Sequence, residues 1–199
     1  MAQNIRWSRW LLRSLLAIVL LALLGFGAFQ IYVLKSIAPL NGHAQLIGLS
    51  AAVEIKRDAS DVTHIHAQNP IDAWRAIGYV HAQERGWQLA FNRQVMHGEL
   101  SEWLGEPSLE TDKLMRTLGI IKAAQAQFDK LPLNTQKALE AYAQGVQSGY
   151  ASAQWRSPEF LILGINPSKD MKPWTAVDSV GWALMMALDL GGNWGHEFA

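Results

Sequence analysis

Residues 78–94, GYVHAQERGWQLAFNRQ, set His81, Glu84 and Arg85 at the three- and four-residue intervals at which helix side chains meet. A histidine, an acid and a guanidinium within reach of one another suit proton transfer or the clamping of a carboxylate. They equally suit an ion-pair network that holds a helix in place, and that network is the expectation here. A second pair, His64 and His66 in VTHIHAQ, alternates along a strand, so both rings lie on one face and can ligate a metal. Packing and hydrogen bonding is the simpler expectation for them, because a catalytic zinc takes three protein ligands and no third stands at a telling spacing. His97 falls on a turn and is expected in solvent.

Other routes to hydrolysis are missing from the sequence. It contains no Gly-x-Ser-x-Gly, no His-Glu-x-x-His and no glycine-rich phosphate loop. It has no cysteine, which removes disulfides, thiol nucleophiles and thiolate metal sites together. Read from its residues alone, the chain is a helix-rich domain without an active site of its own.

The elements that position these residues are legible from period and punctuation. AAVEIKRD and VTHIHAQ alternate as half-buried strands, with Val62, His64 and His66 on one side and Thr63 and Ile65 on the other. The turn formers of RDASD between them predict a hairpin. Asn69 can cap a helix, Pro70 fits its first turn and Asp72 its positive end. Apolar residues from Ala73 to Phe91 carry that helix to about Met96, with a break near Gly86. Gly78 and Gly86 weaken it by about 1 kcal/mol each relative to alanine, so close packing is their expected use. Shorter helical pieces follow, divided at Gly105, Pro107 and Gly119, then a helix capped by Asn134. SPEFLILGINPSKDMKPW reads as loop, and a buried helix from Ala176 to Leu190 ends at Gly191 and Gly192.

The 17 basic and 17 acidic residues balance, which gives no electrostatic reason to expect nucleic acid. Residues 14–34, SLLAIVLLALLGFGAFQIYVL, carry no charge and are long enough for a bilayer crossing, which takes roughly 20 residues. Arg6, Arg9 and Arg13 precede the run, and Lys35 alone follows closely. That imbalance places residues 1–13 in the cytoplasm and the rest outside it. The expectation is a single retained anchor in the cytoplasmic membrane. A cleaved leader is the alternative, although its apolar region usually spans only about 7 to 15 residues. Residues 35–50 then read as a linker and 51–199 as one domain.

Along residues 53–105 the sequence resembles the opening of the penicillin amidase family of N-terminal nucleophile acylases. Arg57, Asp58, His64, Ile65 and Ala67 match its Arg-Asp, turn and His-Ile-x-Ala strand. Gly78, Tyr79, Ala82, Gln83, Glu84 and Arg85 match its Gly-Tyr-x-x-Ala-Gln-Asp/Glu-Arg helix, and Gly98 and Glu102 its Gly-x-x-x-Glu segment. Asp61 and Thr63 stand where the family usually has Gly and Pro, so the turn before His64 is expected to differ.

The resemblance implies an α+β, helix-rich chain that is the α-chain part of an αββα precursor. In such enzymes self-cleavage leaves a serine at the start of a larger β-chain. That serine attacks a linear amide with its own α-amino group as base, and the β-chain also supplies oxyanion donors. No catalytic residue is then expected in this chain, which alone would be inactive, and its partners are the β-chain and a small N-acyl amide. The register set by Trp174 and Asp178 brings Glu197 onto a glutamate that binds structural calcium in the family. Calcium takes about 6 to 8 oxygen ligands, so the others would come from the β-chain. An ordinary glutamate near a helix start is the plainer reading. The same register puts Ala187, Leu190 and Gly191 where a phenylacetyl-accepting member lines its acyl pocket with Met, Arg and Phe. A wider pocket for an aliphatic or larger acyl group is implied, with plain helix packing as the alternative. A truncated, inactive, membrane-tethered interaction protein is the competing function.

Overall fold

The uncharged run near the N-terminus lies inside one long helix. In the computed structural model, which describes residues 2–37, 41–152 and 157–192, α1 spans Ala2–Ser36. Its stretch Trp10–Ser36 is long and apolar enough to cross a membrane, a property that signal sequences share. Met1–Ile37 forms one compact unit and Ala38–Ala199 a second.

The second unit opens with the expected hairpin, β1 (Glu54–Arg57) antiparallel to β2 (Thr63–His66), with Ile55 opposite Ile65 and Lys56 opposite His64. Thr63 and Ile65 are partly covered, and His64 and His66 face out. Asp58 organises the turn, its Oδ1 accepting the N–H groups of Ser60 and Val62. Asp61 takes φ 63°, the left-handed conformation that glycine favours. The aspartate at 61 therefore still supplies the backbone geometry that a glycine there would.

Asn69 then caps α2 (Pro70–His97) by accepting the Asp72 N–H at 2.9 Å, with Pro70 in the first turn. The expected break is real and lies at Arg85, whose φ of −130° is not helical. Gly98 ends the helix at φ 63°, where a Cβ would meet Arg116 Cγ and the Asp112 carbonyl oxygen, each at 2.7 Å. Only glycine fits both the dihedral and the space.

α3 (Ser101–Leu104), a single 3-10 turn at Glu106–Ser108, α4 (Leu109–Leu118) and α5 (Ile120–Phe128) follow, divided at the expected glycines. α6 (Leu133–Ser152) starts one residue before Asn134. Asn134 is therefore inside the first turn, where its side chain accepts the adjacent Thr135 N–H, and is not the cap. α6 crosses α2 at backbone contact. A Cβ on Gly78 would collide with the Tyr142 carbonyl, and one on Gly145 with the Arg75 carbonyl. Close packing is thus the use of Gly78, as expected.

Met96, Val146, Ala90 and Ala143 fill the core beside this crossing. Burying Met96 is worth about 1.5–3 kcal/mol. The stretch expected as loop contains α7 (Pro158–Ile162), since Phe160 inserts there and meets Trp87 edge-to-face at 5.2 Å. Trp87 also stacks on Trp103 at 5.7 Å.

α8 (Ala176–Leu190) begins and ends where expected, but only Ala176, Asp178 and Gly181 in it are buried. Gly181 brings its first half against Met96 and Ile121, where a Cβ would lie 3.1 and 3.2 Å from their side chains. In its second half Met185 still packs against the core while Met186, Ala187 and Leu190 are exposed, Leu190 at 78%, so the expectation of a buried helix fails along that outer face.

Candidate functional site

The residues proposed for chemistry on α2 do not share a network. His81 Nδ1 meets Tyr142 Oη at 3.0 Å, Glu84 pairs with Arg57 of β1, and Arg85 bonds Gln88 at 3.3 Å. Each ties α2 to something else or to itself, because the side chains leave the helix toward different neighbours. Burial, then the charge of Arg85, holds the His81 pKa below its ordinary value. His64 Nε2 bonds Asp58 Oδ2 at 2.9 Å, and this bond leads the influences that hold the Asp58 carboxyl below its usual range. Among the described residues no group of three His, Asp or Glu is placed to hold a metal ion.

His97 overturns its expectation most clearly. It is not in solvent: its Nε2 lies 2.5 Å from Oδ1 of Asp178, which is completely buried. A carboxylate only accepts, so the proton is on the histidine nitrogen. The other oxygen of Asp178, Oδ2, accepts from the Thr175 N–H at 2.6 Å and the Thr175 hydroxyl at 2.9 Å, forming a capping box at the start of α8. Arg93 Nε stands 3.5 Å from Oδ2, close enough for charge attraction. Burial alone would raise the Asp178 pKa, but His97, the Thr175 N–H and Arg93 outweigh it and hold the carboxyl below its ordinary value.

The charges continue outward. Arg93 reaches Glu99 at 3.5 Å, and Glu99 meets Lys172 at 2.6 Å. A second buried acid, Asp72, accepts from Ser50, Ala51 and Asn69 and approaches Arg75 at 3.4 Å. Arg75 in turn donates to the Gly48 carbonyl and to Gln144, so residues 48–51 are pinned to α2, and Arg75 itself is tied to α6.

Ala187, Leu190 and Gly191 come together at the C-terminal end of α8, where the Gly191 N–H bonds the Ala187 carbonyl at 3.0 Å. All three are exposed. With Met186, 43% accessible, they form an apolar face that no described element covers. Glu197 lies outside the described residues. A separate cleft of about 400 Å³ lies between residues 41–53, β1 and α2, lined among others by Val53, Ile55 and Tyr79. Of its polar groups, Gln83 bonds Tyr79 and Glu84 pairs with Arg57.

Sequence reasoning did not anticipate the Asp178 cluster. Its local half was readable, because Thr175 and Asp178 have the Thr-x-x-Asp spacing of a capping box. The partners from α2 had no local signal.

Comparison with known proteins bears on this arrangement. The family model described as penicillin amidase matches residues 52–199. The penicillin acylase 2 proenzyme of Pseudomonas sp. (strain SE83) is 35% identical over 159 residues, 80% of this chain and 20% of that protein. The acyl-homoserine lactone acylase QuiP of Pseudomonas aeruginosa is 29% identical over 170 residues, 73% of this chain and 20% of its own. This chain therefore spans about one fifth of the length of these relatives. A solved thermostable penicillin G acylase chain from Alcaligenes faecalis superposes with TM-score 0.62 at 23% identity, over 71% of this chain and 75% of that one.

Proposed function

Because the chain belongs to the penicillin amidase family, we propose that it is the α-chain portion of an acylase that hydrolyses a linear N-acyl amide. The relatives are penicillin and acyl-homoserine lactone acylases, which supports amide hydrolysis as the reaction. They are about five times longer than the matched segment, which is consistent with a further chain. In this reading a larger β-chain carries the N-terminal serine, its base and the oxyanion donors, completing an αββα fold. This chain then supplies scaffold and part of the acyl pocket, and alone does not hydrolyse amides.

The observation that carries the reading is the bare apolar end of α8 in a chain of this family. A face with Leu190 78% accessible is costly in water and suits cover by a second polypeptide and an acyl group. Small residues at 187 and 191 leave room for an aliphatic or larger acyl chain. The reading extends to Glu197 as one ligand of a structural calcium whose other oxygens come from the β-chain, and no step of the reaction is routed through that ion. It also places α1 across the cytoplasmic membrane with the enzyme on the periplasmic side.

Rates of the full-length protein on phenylacetyl and long-chain acyl amides test the core claim. We expect self-cleavage exposing an N-terminal serine, and higher kcat/KM on the long-chain amides. No cleavage and no hydrolysis of either class would sink it. Alkaline extraction of membranes tests the anchor: retention in the pellet supports it, release argues for a cleaved leader.

A further inference from the structure

The acyl-pocket reading leaves unexplained what fixes α8, whose last turn carries the exposed Ala187, Leu190 and Gly191 beyond Met185, the residue of its second half that packs against the core. Its first half is held at three points. Gln147 of α6 donates to the Trp174 carbonyl at 3.1 Å, Gly181 abuts Met96 and Ile121, and Asp178 joins the end of α2. Only the last engages a charged and fully buried side chain, that of Asp178. The capping box needs one oxygen of Asp178, Oδ2, and leaves Oδ1 free. His97 takes that oxygen from the last residue of α2, a helix packed against α6 on both sides of its break at Arg85.

We propose that His97 is a positioning residue for the pocket helix, tying the N-terminus of α8 to the C-terminus of α2 and so fixing where Ala187, Leu190 and Gly191 stand. The proposal rests on the acylase reading for its consequence and on geometry alone for the tie. A helix anchored by charge at its N-terminus and overhanging at its C-terminus turns a small error at the first into a larger one at the second. Leu190 is twelve residues beyond Asp178, about 18 Å along a helix rising 1.5 Å per residue. Misplacement of about 1 Å at a binding surface is enough to change rates strongly. Arg93 cannot replace the histidine, because it faces Oδ2 at 3.5 Å and divides its charge with Glu99, itself paired with Lys172.

The test compares His97→Ala and His97→Gln with wild type in the full-length protein, by amide hydrogen exchange and by kinetics on a long-chain acyl amide. In His97→Ala, exchange over the first turns of α8 should rise about tenfold, as expected for losing one charge-assisted bond, with α2 and α6 unchanged. KM should rise about five- to tenfold with kcat within about twofold. Glutamine can donate to the same oxygen, so His97→Gln should restore both. Unchanged exchange over residues 176–190 overturns the proposal. So does exchange that spreads through α2 and α6, a failure of glutamine to rescue, or an unchanged KM beside a loosened helix. Should His97→Ala not fold, His97→Asn, which is too short to span the gap, takes its place with the same outcomes. If wild type hydrolyses no acyl amide, the acylase reading falls, while exchange over α8 still decides whether the tie exists.

Discussion

Tyr150 of α6 donates its hydroxyl to the Gly86 carbonyl of α2 at 2.7 Å, one residue past the point where Arg85 interrupts the helix. Its ring lies 3.2 Å from where a Gly86 Cβ would stand. Burial drives the Tyr150 pKa upward, so the hydroxyl stays protonated and a donor. Tyr150→Phe keeps the ring and leaves that carbonyl without this donor. We expect a loss of about 1–2 kcal/mol, which for a chain of this size is a fall in Tm of roughly 2–8 °C. Calorimetry of the two proteins checks it, and equal melting would mean that the kink does not depend on the bond.

What the sequence disclosed and what it hid divide by distance along the chain. Asn69 and Pro70 marked the start of α2, and Gly78 its tight packing, because caps and helix-breaking residues act within one turn. The hairpin followed from alternation and from the turn formers between its strands. His97 was misjudged because its partner is Asp178, 81 positions away, and no local period records such a meeting. Glu84 was grouped with its helix neighbours His81 and Arg85, yet its partner is Arg57 on β1. At α8 the apolar composition suggested burial throughout, since composition cannot say whether the covering surface belongs to the same chain. The site residues Ala187, Leu190 and Gly191 came from likeness to a family and from nothing in their own chemistry.

The α2–α6 crossing should tolerate no side chain at its centre. A methyl group at Gly145 would run into the Arg75 carbonyl and crowd the Tyr79 N–H at 2.9 Å, both of them backbone. Backbone cannot rotate aside as a side-chain end can, so Gly145→Ala must push the helices apart. The gain in helix propensity, about 1 kcal/mol, is outweighed by overpacking of about 3 kcal/mol or more. Denaturant unfolding should show a net loss of at least about 2 kcal/mol. Stability equal to wild type would contradict the crossing.

Acid should weaken the fold in two stages. His81 has its pKa lowered by burial and then by Arg85, so the unfolded chain binds the proton more readily than the folded one. Its contribution is complete above the ordinary value of 6.5 and is lost as pH falls below it toward the folded value. Asp178 also has a lowered pKa: burial opposes ionisation but His97, Thr175 and Arg93 prevail. Its contribution is complete above 3.8 and disappears only below that. Denaturant midpoints across pH should therefore show an upper step beginning near 6.5 that His81→Gln removes while the lower step remains. An upper step that survives in the variant would assign it to another group.

The proposed acyl pocket can be narrowed by design. Ala187 and Gly191 are linked by the last hydrogen bond of α8 and both face outward, so larger side chains at these positions enter the space assigned to the acyl group. Gly191 has φ −83°, a conformation any residue adopts, although a Cβ there lies 3.0 Å from the Ala187 carbonyl and requires a slight shift. Ala187→Met with Gly191→Phe should lower kcat/KM for long-chain acyl amides by about ten- to a hundredfold, since one displaced methylene in such a pocket is already worth tenfold or more. Phenylacetyl amides, which are shorter, should lose less than about threefold. Equal losses on both substrates would mean that these positions pack the β-chain and do not meet the acyl group, and a full-length enzyme indifferent to both changes would remove α8 from the pocket.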